Sequence, residues 1–241
     1  MKKSRHTAQS AFFNLFPRIC LAVVCAGAMS AHANIITVTN ANDSGPGSLR
    51  QALADANDGD TINFAVTGTI GLTSGELLVE NSVTISRPGS ENLAVDANAT
   101  SRVMHIAPGK VVTISDLTIT NGYAGSQPVL DGAGIYNDHA TLSLGNCTIN
   151  NNFAARNGGG VYNAGAATMM LNGCVINGNM TGNDGGGINN VAGLTISNST
   201  FTGNSANFGG NIASGGATVS IGDTVLKAGK AGGNILMTAV P

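Results

Sequence analysis

Two carboxylates open the case for chemistry. Asp131 and Asp184 each stand immediately before a glycine run, and Asn157 holds the same place in the run between them. Arg156 lies beside that position and could pair with either acid. A pair of carboxyl groups flanking a glycosidic bond is the machinery of glycoside hydrolysis. The alternative is that these acids are simply corner residues ahead of glycines, and it is the stronger reading of the two. The glycine runs themselves invite a search for phosphate sites. In NGGGVYNAG (157–165), Gly158 and Gly160 fit the start of a dinucleotide fingerprint, but Asn163 occupies the third glycine place and no helix pattern follows. AGKAGG fails as a Walker loop, because Thr224 stands where the first glycine belongs and Ala231 follows Lys230.

A repeat must position these residues. Glycine segments recur as GAGIYN (132–137), GGGVYN (158–163), GGGINN (185–190), GGNIAS (209–214) and GGNILM from Gly232, at spacings of 26, 27, 24 and 23. Out of phase with them run VTISDLTI, LSLGNCTI, MMLNGCVI, LTISNSTF and VSIGDTVL. Each has apolar residues at places one, three and eight, and a small or apolar one at place six; Met169, Leu171, Cys174 and Ile176 are one set. Alternation by two marks strands with one buried face. The phase slips at SD, GN, NG, SN or GD, which are turn pairs. Each copy is therefore two strands meeting at a corner. The glycine segment adds a third strand, with Ile135, Val161, Ile188 or Ile212 inward. A coil of about 25 residues with three short strands predicts an all-β parallel β-helix.

The repeat gives the glycines a structural role. Gly132, Gly134, Gly158, Gly159, Gly160, Gly185, Gly186, Gly187, Gly209, Gly210, Gly232 and Gly233 are predicted at corners, where positive φ or close backbone approach is needed. Coils stack at the ordinary strand spacing, so Asp131 and Asp184, two coils apart, would lie about 9.6 Å from each other, near the upper range for an inverting pair. Asn152, Asn179 and Asn204 recur three places after Ile149, Ile176 and Phe201. They form either a hydrogen-bonded amide ladder or a row of exposed turn residues. Cys147 and Cys174 share one place in adjacent coils, close enough for a disulfide. The alternative is two reduced thiols packed inward.

The ends differ from the middle. Lys2, Lys3 and Arg5, the apolar run from Ile19 to Ala28 and Ala31-His32-Ala33 predict a signal peptide over 1–33, cut after Ala33. Cys20 and Cys25 leave with it, and Val24 argues against a lipoprotein site. The remainder carries 7 basic and 13 acidic residues, a net charge of about −6, which excludes a basic nucleic-acid binder. No later stretch has 18 consecutive apolar residues, so no transmembrane helix is expected. Residues 34–64 read as a cap with a short helix over 48–56. Ser48 and Gln51 form a capping box, and Leu49, Ala52, Leu53 and Ala56 share one helical face. Residues 65–241 read as the β-helix. Its last coil, after Gly232, has no lid, which predicts truncation relative to longer proteins or end-to-end self-association.

The repeats carry a family resemblance. FTGN (201–204) with GGGV, GGGI and GGNI resembles the FxxN and GGA[ILV] repeats of chlamydial-type polymorphic outer-membrane proteins, over about residues 111–236. GSLRQALADAN resembles the leader helix often written CSLREA, with Gly47 in place of Cys. The resemblance implies a right-handed parallel β-helix of pectin-lyase-like fold, on the outer-membrane surface or outside the cell, with the periplasm as the alternative. In that family it is often an autotransporter passenger used in adhesion. A C-terminal membrane barrel is missing from the pattern, so self-transport is not expected. The expected function is a non-catalytic, adhesin-like or structural module binding a host-surface or glycan ligand. The rival is a polysaccharide lyase or hydrolase, and a third reading is a non-functional fragment. Neither His105 nor His139 has a recurring acidic neighbour. The Asp-Asp and Gly-His-Gly motifs of polygalacturonases and the GGxGxDx calcium repeat are missing, so no metal and no cofactor is expected.

Overall fold

The computed structural model describes residues 33–87, 93–126, 128, 130–215, 218–229 and 231–238. The proposed leader, apart from Ala33, lies outside the described residues. The rest is a right-handed parallel β-helix of pectin-lyase-like fold with one short helix. Among the described residues, short strands stack into three long sheets. The first has eight strands, from Ile35–Val38 to Val219–Gly222. The second has seven, from Gly68–Gly71 to Val225–Leu226, and the third has seven, from Leu77–Val79 to Ile235–Thr238. A small fourth sheet joins Tyr123–Ala124, Phe153–Ala154 and Met180–Thr181.

The inward columns follow the alternation in the sequence. Leu142, Met169 and Leu194 stand in parallel register in the first sheet. Ile149, Ile176 and Phe201 do so in the second, and Ile135, Val161, Ile188 and Ile212 in the third. All are buried in one continuous core. Each such side chain contributes roughly 1.5–3 kcal/mol by leaving water. The corner between the first and second sheets falls on the turn pairs. Their second members, Asp116, Asn146, Gly173, Asn198 and Asp223, all have left-handed φ, between 45° and 68°.

Two glycines show what the other corner requires. Gly158 has φ +63°, where a side chain would be strained. At Gly159 a Cβ would sit 2.4 Å from the Met180 carbonyl oxygen and 2.6 Å from that of Gly186. One glycine is needed for its dihedral and the next for close packing between coils.

The Asn152, Asn179 and Asn204 side chains form a buried ladder, not an exposed row. Asn152 Nδ2 donates to Asn179 Oδ1 at 2.9 Å, and Asn179 Nδ2 donates to Asn204 Oδ1 at 3.0 Å. A second ladder was not foreseen. Asn137 Nδ2 donates to Asn163 Oδ1, and Asn163 Nδ2 to Asn190 Oδ1, each at 2.7 Å. Asn190 Nδ2 then donates to Ser214 Oγ at 3.0 Å. The first ladder lies at a corner, whereas the second runs up the inside of the third sheet, with Asn137, Asn163, Asn190 and Ser214 in register; in both, buried polar groups find side-chain partners.

Two sequence expectations need correction, and one choice that the sequence leaves open is decided. The cap region is not separate from the stack, because Ile35–Val38 and Thr61–Phe64 are already the first two strands of the first sheet. The helix Leu49–Asp55 sits between them and buries Leu49, Ala52 and Leu53. Only half of the capping box forms. Ser48 Oγ accepts from Gln51 N, but Gln51 Nε2 donates to Asp55 and Ser48 N donates to the Gly45 carbonyl. The Cys147–Cys174 disulfide is not formed, and both thiols are buried and free. Side chains in parallel register run side by side, and each thiol has a backbone acceptor instead. Cys147 Sγ lies 3.3 Å from the Gly145 oxygen, and Cys174 Sγ lies 3.4 Å from that of Leu144. The adjoining Cys174 sulfur, and then burial, push the Cys147 thiol well up. Among the described residues no helix is long and apolar enough to cross a membrane.

Candidate functional site on the outward face of the third sheet

The predicted ladder position is real. Gly132 N donates to the Asn157 carbonyl, and Gly158 N to the Asp184 carbonyl, so Asp131, Asn157 and Asp184 follow one another up the stack. The two acids are held differently. Both Asp131 oxygens accept from the Arg156 guanidinium, and Asp131 Oδ1 also accepts from Asn157 N at 3.0 Å. The bond to Asp131 raises the proton affinity of Arg156 further. Asp184 takes no part in that cluster. It lines a shallow depression of about 100 Å³ with Asn189, Val191 and Ala213.

The larger constellation was not legible in the repeats. On the outer face of the third sheet, Leu78, His105, Tyr136, Tyr162 and Asn189 stand in register as one column. The His105 and Tyr136 rings lie 5.0 Å apart, and Tyr136 stacks on Tyr162 with centroids 5.5 Å apart and planes 16° apart. Arg102 lies over the Tyr136 ring, 4.7 Å from its centroid. Beneath that ring, Arg102 Nη1 donates to Glu76 Oε2 at 2.7 Å, Nε to the Gly132 carbonyl at 3.0 Å and Nη2 to the Asp131 carbonyl at 2.9 Å.

His105 and His139 each have an acidic neighbour, though none that recurs from coil to coil. His105 Nδ1 lies 3.5 Å from Glu76 Oε1, and its buried Nε2 lies 3.5 Å from Asp138 Oδ2. Asp138 also meets His139 Nδ1 at 2.6 Å. These acids come from neighbouring coils, so no single repeat displays the cluster. The helix cap helps to place it, because Arg50 donates to the carbonyls of Gly75 and Glu76 at 2.7 Å each.

The electrostatics are internally balanced. Burial works against ionising Glu76, but the His105 hydrogen bond and the Arg102 charge outweigh it and hold the carboxyl below its ordinary range. Burial pushes the Tyr136 phenol up, aided by Asp138; burial and Asp131 do the same for Tyr162. Both phenols therefore stay protonated near neutral pH and offer hydrogen bonds. Burial lowers Arg102, against the pull of Glu76. Among the described residues no group of His, Cys, Asp and Glu could hold a metal ion. Beside the column opens a cleft of about 300 Å³ lined by Glu76, Thr100, Ser101, Arg102, Tyr123, Gly125, Ser126 and Pro128.

Comparison with known proteins supports the fold class and stops there. No family model matches the chain, and no curated protein matches it. The polymorphic outer-membrane resemblance therefore rests on its motifs alone. Among solved structures, the chain is similar to jun a 1, the major allergen from cedar pollen, with TM-score 0.54 and 13% identity over 79% of this chain and 66% of that one. The chain thus spans just under two thirds of that allergen. It is also similar to an alginate lyase from Paenibacillus sp., with TM-score 0.53 and 18% identity over 78% of this chain and 75% of that one.

Proposed function

We propose that the chain is an exported β-helix protein that holds a glycan on the outward face of its third sheet without cleaving it. The observation that carries this reading is the state of the polar groups there. Glu76, Arg102, Asp131 and Arg156 are already committed to one another. Glu76, the carboxyl of this face whose proton affinity is displaced, is displaced downward, which is the wrong direction for a general acid. The phenols are held protonated, and both His105 nitrogens lie 3.5 Å from carboxylate oxygens. Such a face recognises hydroxyls well and moves protons poorly.

Export rests on the leader pattern over 1–33, and a place on the cell surface with an adhesive role rests on the repeat motifs. End-to-end association through the last coil is a further part of the reading, supported by the exposed Ile221, Val225, Ile235 and Met237. The likeness to an alginate lyase keeps a lyase as the second reading. The test runs the mature chain, beginning at Asn34, through affinity gels containing neutral polysaccharides, alginate or pectin. The same mixtures are assayed for unsaturated uronate ends. Retardation without new ends is expected. Unsaturated ends would establish the lyase instead, and no retardation in any gel would remove the glycan reading.

A further inference from the structure

We propose that Tyr123 is a stacking platform and that the cleft between it and Glu76 seats one ring of an uncharged glycan. This rests on the glycan reading above and gives it a site and a substrate class. Tyr123 begins the small fourth sheet. One face of its ring stacks on Phe153, with centroids 5.6 Å apart and planes 20° apart. Among the described residues no further strand extends that sheet beyond Tyr123, and the side chain is 39% exposed. The side chain also lines the cleft.

The ring is held there by a missing side chain. A Cβ on Gly125 would lie 2.1 Å from Tyr123 Cζ and 2.2 Å from its Oη, so the ring lies across space that only glycine leaves open. Aromatic faces in pockets carry apolar CH surface, while a few placed polar groups fix orientation. Two hydroxyls of the lining are left to accept. Thr100 Oγ1 already donates to the Ala97 carbonyl at 2.9 Å, and Ser101 Oγ to the Arg102 carbonyl at 3.0 Å. Their remaining capacity is to accept, and Glu76 adds a carboxylate. Arg102 is the cation of the cleft, but it is 6% exposed and committed to Glu76, Asp131 and Gly132. An anionic sugar would meet the Glu76 charge with no uncommitted cation to offset it. A sugar ring with free hydroxyls supplies donors to Thr100, Ser101 and Glu76 and CH groups to Tyr123. The cleft volume is at the small end for ligand pockets, suited to one ring.

The experiment titrates the mature chain with cellohexaose, xylohexaose and mannohexaose, and with trigalacturonate as the charged comparison. At least one neutral sugar should bind the wild type more tightly than trigalacturonate. Tyr123→Ala and Gly125→Ala should each weaken that binding roughly tenfold, and Tyr123→Phe should leave it within about threefold. Melting curves check that the variants fold. A second measurement avoids substitution: the bound sugar should slow nitration of Tyr123 by tetranitromethane in the wild type. If the wild type binds and the Tyr123→Ala and Gly125→Ala variants bind equally, or nitration is unaffected, the site is elsewhere and only this proposal falls. A preference for trigalacturonate overturns the charge reasoning. A wild type that binds none of the sugars removes the glycan reading and this proposal together.

Discussion

Replacing Asn179 by alanine tests the amide ladder that joins the middle coils. The Asn179 Oδ1 atom accepts from Asn152 N at 3.1 Å and from Asn152 Nδ2 at 2.9 Å. Its Nδ2 donates to the Ile149 carbonyl at 2.9 Å and to Asn204 Oδ1 at 3.0 Å. Alanine removes all four bonds in a region closed to water. Asn152 Nδ2 keeps the Ile119 carbonyl, and Asn204 Oδ1 keeps the Asn179 backbone N–H. The Asn152 N–H loses its side-chain acceptor. The orphaned buried donor costs about 1–3 kcal/mol, and each of the other three lost bonds about 1 kcal/mol, so a loss of about 4–6 kcal/mol is expected. With a urea m-value of about 3 kcal/mol/M, the unfolding midpoint should fall by about 1.3–2 M. Asn183→Ala, an exposed position in the same coil, should stay within about 0.5 kcal/mol of wild type. Urea titrations followed by circular dichroism compare the two. If Asn179→Ala unfolds with Asn183→Ala, the buried ladder does not support the stack and the reasoning is refuted.

Three further outcomes are expected. Gly159→Ala should lose about 3 kcal/mol in the same titration, because the new Cβ meets backbone oxygens, while Gly193→Ala, with its nearest neighbour 3.7 Å away, should be neutral or slightly stabilising. Glu76 binds its proton less readily when folded than its ordinary 4.5. Its contribution is therefore complete above that pH and lost as the pH falls through the lowered value, so Glu76→Gln should lower the melting temperature at neutral pH, converge with the wild type in acid, and so flatten the acid side of the profile. Cys147 and Cys174 should be silent to a thiol reagent in the native mature chain, and both should react, without reductant, once denaturant opens the core.

The interior was readable because it is periodic. Met169, Leu171, Cys174 and Ile176 announce themselves by alternation, and Asn146 or Gly173 by the slip in phase. The second amide ladder had a signal too: GAGIYN, GGGVYN and GGGINN all end in asparagine, and GGNIAS ends in serine. The outer site had none. Glu76, the pair Arg102 and His105, and Asp138 come from three successive coils, so their meeting depends on stacking, which brings together residues about a full coil apart in sequence. Coils before residue 111 also lack the glycine motif that marks the register later. The cysteine pair left two outcomes open in the sequence. Adjacency in a ladder was legible, but the parallel direction of neighbouring side chains decides whether sulfurs bond.

The outward face of the third sheet is proposed to grip sugar without breaking it. The most direct measurement incubates the mature chain with a neutral oligosaccharide and with an alginate oligosaccharide, and follows both by saturation-transfer nuclear magnetic resonance and by mass. Transfer to the neutral sugar, with every oligosaccharide keeping its original mass, is the result expected. Shortened alginate chains, or no transfer to the neutral sugar, would contradict it.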